Sequence, residues 1–81
     1  MNDKVIRTMA ILRKQQGLNQ TQLAARVNLN QVDISIQENS DVRVVRQDAF
    51  EQIAELLGVS QDDLLLPYDE YVMKGKEAVD G

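Results

Sequence analysis

The run Q-T-Q-L-A-A-R-V-N-L-N-Q-V-D-I-S-I-Q-E, Gln20 to Glu38, is the frame around which the rest of the chain arranges itself. Leu23, Ala24 and Val27 fall at i, i+1 and i+4, which predicts a short helix from about Gln20 to Val27 with one apolar face. Asn19 is its N-cap, because an Asn side chain accepts from the orphan N–H groups of a first turn. Asn28 stands at the helix end, where a left-handed residue is often needed and Asn tolerates it best after Gly. Leu29 then points inward. Asn30 caps a second helix, Gln31 to about Glu38, whose inward residue is Ile34, and Ala24 is small because that helix must cross close by.

Two short helices joined by a tight turn make a helix-turn-helix, whose second helix can enter a DNA major groove. The outward positions of the second helix are then the candidate base contacts: Gln31, Val32, Asp33, Ser35 and Ile36. Gln31 suits the N6 and N7 edge of adenine, Val32 and Ile36 suit thymine methyls, Ser35 can donate or accept, and Asp33 could accept from cytosine N4 but is a liability near phosphate. None of the five is Arg or Lys. Arg43 and Arg46, in the loop Asp41 to Arg46, are the cations near that helix's C-terminal end and are expected to grip phosphate. A competing local pattern exists: V-D-I-S-I-Q alternates with period two, and V-R-V-V follows E-N-S-D, as in a β-hairpin with a four-residue turn.

Outward from this frame, Asp3 to Gln16 reads as an amphipathic helix with Val5, Met9 and Leu12 at i, i+4 and i+7 and Ile6 beside them. Gly17 ends it and Leu18 packs back. After the loop, Gln47 to about Leu57 forms a helix with Phe50, Ile53, Ala54 and Leu57 inward, closed by Gly58 and Val59. Ser60-Gln61-Asp62-Asp63 resembles a capping box and begins a short helix through Leu64 and Leu65, which Pro67 ends. In the tail, Tyr68, Tyr71, Val72 and Met73 are expected to form a short amphipathic turn, and G-K-E-A-V-D-G to fray.

The run G-L-N-Q-T-Q-L-A-A-R-V-N-L-N-Q-V-D-I-S-I-Q-E, followed by A-F-E-Q-I-A-E-L-L-G-V-S-Q-D-D-L-L, resembles the Cro and phage-repressor type of helix-turn-helix protein, the XRE family, over roughly residues 5 to 66. The resemblance is carried by L-R, Q-x-x-L-A, I-S-x-x-E and I-A-x-x-L-G-V in order at the family's spacing. It implies an all-α, five-helix, lambda-repressor-like domain over residues 1–66, with a tail, residues 67–81, that could serve dimerisation. It further implies a partly buried ion pair between Arg13 and Glu38 and a phosphate contact from Gln20 at a helix N-terminus. Leu66, Tyr68 and Tyr71 are candidates for a dimer patch, the alternative being a tail folded onto its own core. The chain departs from the family at Gln37, usually apolar, and at Ser40, usually Gly. The first is expected to weaken packing against the fourth helix and the second to make a left-handed turn harder.

The chain has 81 residues, enough for one small domain with one core, and its apolar fraction of 43% suffices to fill it. With no Cys and no His, disulfides, common zinc frameworks and His-based catalysis are excluded, and no cofactor is implied. No apolar run approaches the ~20 residues of a membrane span, and the start lacks a signal-peptide core; a cytoplasmic, bacterial or phage-encoded protein is expected. The net charge of −4, of which −2 falls in residues 1–66, is awkward for a DNA binder and predicts weak non-specific binding with strong salt sensitivity. Two functions remain. One is a sequence-specific regulator, a repressor, that binds a pseudo-palindromic operator in double-stranded DNA as a homodimer and answers to abundance or a regulatory protein partner. The other is a protein-interaction module on the same scaffold, an antitoxin, anti-repressor or adaptor. An enzyme has no nucleophile–base pair, phosphate loop or metal cluster to stand on.

Overall fold

The structure, a computed structural model, describes residues 5–79, which fold into six helices with no strand among them. In chain order these are α1 (Thr8–Gln15), α2 (Gln20–Arg26), α3 (Gln31–Glu38), α4 (Gln47–Leu57), α5 (Gln61–Leu64) and α6 (Tyr68–Val79). The all-α fold is as expected, and α3 is a helix rather than half of a hairpin. Its alternating β-branched residues are overruled by the Asn30 cap and by Ile34, which is fully buried against the other helices.

Three helices end by one device. Gly17, Asn28 and Gly58 take positive φ (75°, 58° and 75°), and each is followed by an apolar residue whose N–H returns to the last turn. Leu18 donates to the Arg13 carbonyl at 3.2 Å, Leu29 to Ala24 at 2.9 Å and Val59 to Ala54 at 3.1 Å. This is the Schellman closure, in which a left-handed residue satisfies orphan carbonyls and turns the next side chain onto the core. Leu18, Leu29 and Val59 pack against the central cluster of Met9, Leu23, Ala24, Val27, Ile34, Phe50, Ile53, Leu57 and Leu64.

The ends of the chain depart from expectation. The first helix starts at Thr8, not at Asp3; Asp3 and Lys4 lie outside the described residues, and Val5 to Arg7 are not helical. Val5 and Ile6 are therefore exposed rather than inward. The reason is tertiary. Tyr68 donates to the Ile6 carbonyl at 2.9 Å, and Thr8 N–H donates to Leu66 at 2.9 Å, around an antiparallel bridge of Arg7 and Pro67. Those backbone groups cannot also serve a helix. Arg7 adds a guanidinium bond to the Leu65 carbonyl at 3.1 Å.

The tail is a helix, α6, where a short turn and frayed end were expected through Val79; Asp80 and Gly81 lie outside the described residues. Asp69 and Glu70 stand in its first turn, where negative charge suits the helix dipole. Lys74 donates to Asp63 at 2.7 Å, which ties α6 to α5 and raises the Lys74 pKa. Tyr68 accepts from Gln15 at 3.3 Å, so the tail docks on the chain's own α1, and Leu66, Tyr68 and Tyr71 are each half-buried there.

Candidate nucleic-acid interface

Helices α2 and α3 are held by their caps before anything else. Asn19 Oδ1 accepts from Gln22 N–H at 2.7 Å, and Gln22 Oε1 accepts from Asn19 N–H at 2.8 Å. Asn30 and Asp33 repeat this box at 2.9 and 3.3 Å. Each box satisfies two orphan donors at a helix start. The spacings N-x-x-Q and N-x-x-D were there to be read in the sequence, although only the two Asn caps were anticipated.

The caps also set the rotation of α3. Ile34, Gln37 and Glu38 are buried on one side, whereas Gln31, Val32 and Ile36 are exposed on the other, with Asp33 and Ser35 half-buried between them. The exposed side chains stand as a polar head, Gln31, followed by an apolar strip; Val32 is 60% and Ile36 53% exposed. Asp33 is engaged by the cap it forms, so its carboxylate turns toward the helix start.

Beneath this face lies a chain of side-chain hydrogen bonds. Arg13 Nε donates to Glu38 Oε2 at 2.6 Å and Arg13 Nη2 to Glu38 Oε1 at 3.2 Å, a fork of two bonds in a pair whose members are each 6% exposed. Arg13 Nη1 also donates to the Leu18 carbonyl at 2.8 Å. Gln20 Nε2 donates to the same Glu38 Oε1 at 2.9 Å, and Gln31 Nε2 donates to Gln20 Oε1 at 2.5 Å. The buried pair thus braces α1 against α3, and Gln20 links it to the outer surface.

Gln37 was expected to weaken the packing against the fourth helix; the structure shows that its buried amide is fully paired. The side chain is 1% exposed; its amide donates to the Val42 carbonyl at 3.0 Å, and its carbonyl accepts from Val44 N–H at 2.8 Å and Val45 N–H at 3.2 Å. It ties down the loop between α3 and α4, which has no backbone ladder of its own, a task no apolar residue could do. Ser40 needs no left-handed backbone; its hydroxyl donates to the Val42 carbonyl at 2.8 Å and accepts from Val42 N–H at 3.1 Å. Among the described residues no buried side-chain N or O lacks a partner.

Arg43 and Arg46 leave this loop exposed. Arg43 donates to the Val45 carbonyl, and Arg46 meets Asp48 at 3.1 Å with both side chains more than half exposed. The N–H of Ala49 first, and the Arg46 guanidinium second, hold the Asp48 carboxyl below its usual pKa. Charge is divided along the chain. Residues 1–46 hold seven cations and four acids, whereas residues 47–81 hold two cations and nine acids.

Among the described residues no His, Cys, Asp or Glu cluster could hold a metal ion, and no helix is long and apolar enough to cross a membrane. No curated protein and no solved structure matches the chain. A family model described as "Helix-turn-helix domain" matches residues 7–66, which spans α1 to α5 and the whole of the site above. With that match over most of its length, the chain belongs to the helix-turn-helix domain family of DNA-binding folds.

Proposed function

We propose that this protein is a sequence-specific transcriptional regulator of the Cro and phage-repressor kind, a repressor that reads the major groove with α3 as a homodimer. The observation that carries the proposal is the rotation of α3: Gln31, Val32 and Ile36 face solvent while Ile34, Gln37 and Glu38 anchor the helix from behind. Gln31 contacts an adenine edge, Val32 and Ile36 contact thymine methyls, and Ser35 adds a polar contact deeper in the groove. Asp33 points its carboxylate at the Asn30 N–H, which moderates its repulsion of phosphate. Gln20, at the start of α2, and Arg43 and Arg46, beyond α3, flank this helix and take the backbone. Two copies place their α3 helices about one DNA turn, ~34 Å, apart on a pseudo-palindromic site. Val5, Ile6, Ile11, Pro67 and Tyr68, which line one shallow apolar groove, give a second copy a surface to cover. Repression follows from occlusion of a promoter.

The test is an unbiased selection of bound sequences, with sizing of the complex. Enrichment of a two-fold symmetric site, bound with a steep fall in affinity as salt rises, supports the proposal. Failure to enrich any sequence at low salt refutes it. A second reading has its own support: Val32, Ile36, Val42 and Val44 are all exposed and α3 carries no cation, which suits a protein partner. On that reading, selection fails while a protein partner protects α3 from hydrogen exchange.

A further inference from the structure

On the reading of α3 as the helix that enters the major groove, we infer that it carries a seat for 5-methylcytosine, made by the Asp33 carboxylate and the Ile36 side chain, so that the protein reads a modified base in its DNA site. The fold leaves one charge of α3 half used. Asp33 Oδ2 takes the Asn30 N–H at 3.3 Å, whereas Oδ1 takes no hydrogen bond and the carboxylate meets no cation among the described residues. Asp33 is half-buried at the border of the exposed face of α3, and Ile36, 53% exposed, stands beside it. Side chains three apart on a helix are neighbours, turned about 60° from one another with ~5–6 Å between Cβ atoms. Val32 lies on the far side of Ile36, and Gln31 at the opposite border of the exposed face.

A lone acceptor beside an apolar side chain selects among the bases by elimination. The donors in the major groove are the amino groups of cytosine and adenine. Guanine presents O6 and N7 and thymine O4, and the lone pairs of these atoms repel a carboxylate. Adenine's N6 donor has N7 as its neighbour, an acceptor that Ile36 would cover and leave unpaired. Cytosine's N4 donor has the C5–H as its neighbour, which asks for no hydrogen bond. A methyl group at C5 stands where thymine carries its own and fills the space against Ile36. 5-Methylcytosine thus satisfies both partners, with a donor for Oδ1 and a methyl for Ile36, where plain cytosine satisfies one. It also gives a donor to a negative charge that otherwise stands unpaired among phosphates. Ile36 then takes this methyl in place of a thymine's, while Val32 keeps a thymine and Gln31 an adenine.

The test uses the full chain, its selected DNA site, and synthetic copies of that site carrying cytosine, 5-methylcytosine or thymine in turn at each pyrimidine position. Competition ratios between these copies are read rather than absolute affinities, because loss of a carboxylate strengthens binding to phosphate everywhere. At one position per half-site, wild type should bind 5-methylcytosine about fourfold better than cytosine, the effect of burying one methyl. It should bind 5-methylcytosine roughly 5- to 150-fold better than thymine, the range for one wrong base pair. Ile36→Ala should abolish the preference for methylated over plain cytosine and leave cytosine ahead of thymine. Asp33→Asn still takes the Asn30 N–H but can also donate to O4, so thymine should rise to the level of 5-methylcytosine, with both ahead of cytosine. Neither change touches the buried side of α3, and melting temperatures should stay near that of the wild type. Should Asp33→Asn not fold, wild type and Ile36→Ala decide. Binding of 5-methylcytosine no better than cytosine at every position, or unchanged ratios in Asp33→Asn, overturns the inference; if Gln31→Ala still alters one position, the groove reading of α3 stands without it. If Gln31→Ala, Val32→Ala and Ile36→Ala alter no position, α3 reads no base and the proposed function fails as well.

Discussion

Replacing Gln37 by Leu tests whether a buried amide or a buried hydrocarbon better suits the junction of α3 with its loop. The two possibilities differ in sign. Leu would add buried apolar area worth about 1–2 kcal/mol. Against that stand three hydrogen bonds, to the Val42 carbonyl and from the Val44 and Val45 N–H groups. Val42 and Val44 are exposed, so their backbone groups can turn to water and the loss there is about 0.5–1.5 kcal/mol each. Val45 is buried at 6%, and its N–H would be orphaned at about 1–3 kcal/mol. The balance is a net loss of about 2 kcal/mol, which for a domain of this size lowers Tm by roughly 8–16 °C. Thermal unfolding followed by far-UV circular dichroism measures it, and hydrogen exchange at Val44 and Val45 should show both amides unprotected in the variant. A Tm at or above that of the wild type would mean that packing outweighs the bonds and that the buried amide is tolerated rather than required.

The remaining expectations concern the ion pair, the loop and a helix end. Glu38→Ala leaves the Arg13 charge buried without its partner and should cost about 3–5 kcal/mol in chemical denaturation; an unchanged midpoint would mean that the pair contributes nothing. Arg46→Ala should weaken binding to selected and random DNA alike and reduce the slope of log K against log salt by about 1, whereas loss confined to the selected site would remove Arg46 from the phosphate contacts. Asp48→Asn frees Arg46 from its surface partner and should raise affinity for any DNA by about two- to fivefold; weaker binding would contradict the competition between Asp48 and phosphate for that guanidinium. Gly58→Ala meets nothing within 4 Å, so its effect is the left-handed backbone alone, a loss of about 1–2 kcal/mol. A stability equal to wild type there would show that the α4 end relaxes to another closure.

What could be read ahead of the structure was set by neighbours in sequence. Asn19 and Asn30 cap because their side chains reach a donor three residues on, and Asn28, Gly17 and Gly58 close helices because backbone sterics leave few alternatives. The inward faces of α2 and α4 follow from spacing. What could not be read depends on partners far along the chain. Val5 to Arg7 have an apolar pattern that fits a helix, yet Leu66 to Tyr68 claim their backbone from some 60 residues away. Gln37 looks like a misplaced polar residue until the loop carbonyl and N–H groups are seen around it. The link from Gln31 to Glu38 is invisible in sequence for the same reason: Gln20 is only a polar helix start until its two neighbours are known. The tail helix had a signal, Asp69 and Glu70 behind Pro67, that was outweighed by Gly75 and by proximity to the chain end.

The acidic total is the last apparent obstacle to a DNA-binding role, and it weakens once charge is placed in the fold. The balance of −4 averages a first part, residues 1–46, that carries +3 and a second, residues 47–81, that carries −7. The first part contains all of α2, α3 and the loop with Arg43 and Arg46; the second contains α5 and α6, which pack chiefly on α4 and α1. Arg13 and Glu38 cancel each other in the interior and take no part in the outer field. At physiological salt, charges more than ~8 Å apart are largely screened from one another in water. A phosphate at the helix-turn-helix therefore responds mainly to the charges around α2, α3 and their loop, and only weakly to acids beyond that range. On the proposed role, binding strength comes from few phosphate contacts, which places more of the discrimination between sites on the exposed face of α3, Gln31, Val32 and Ile36.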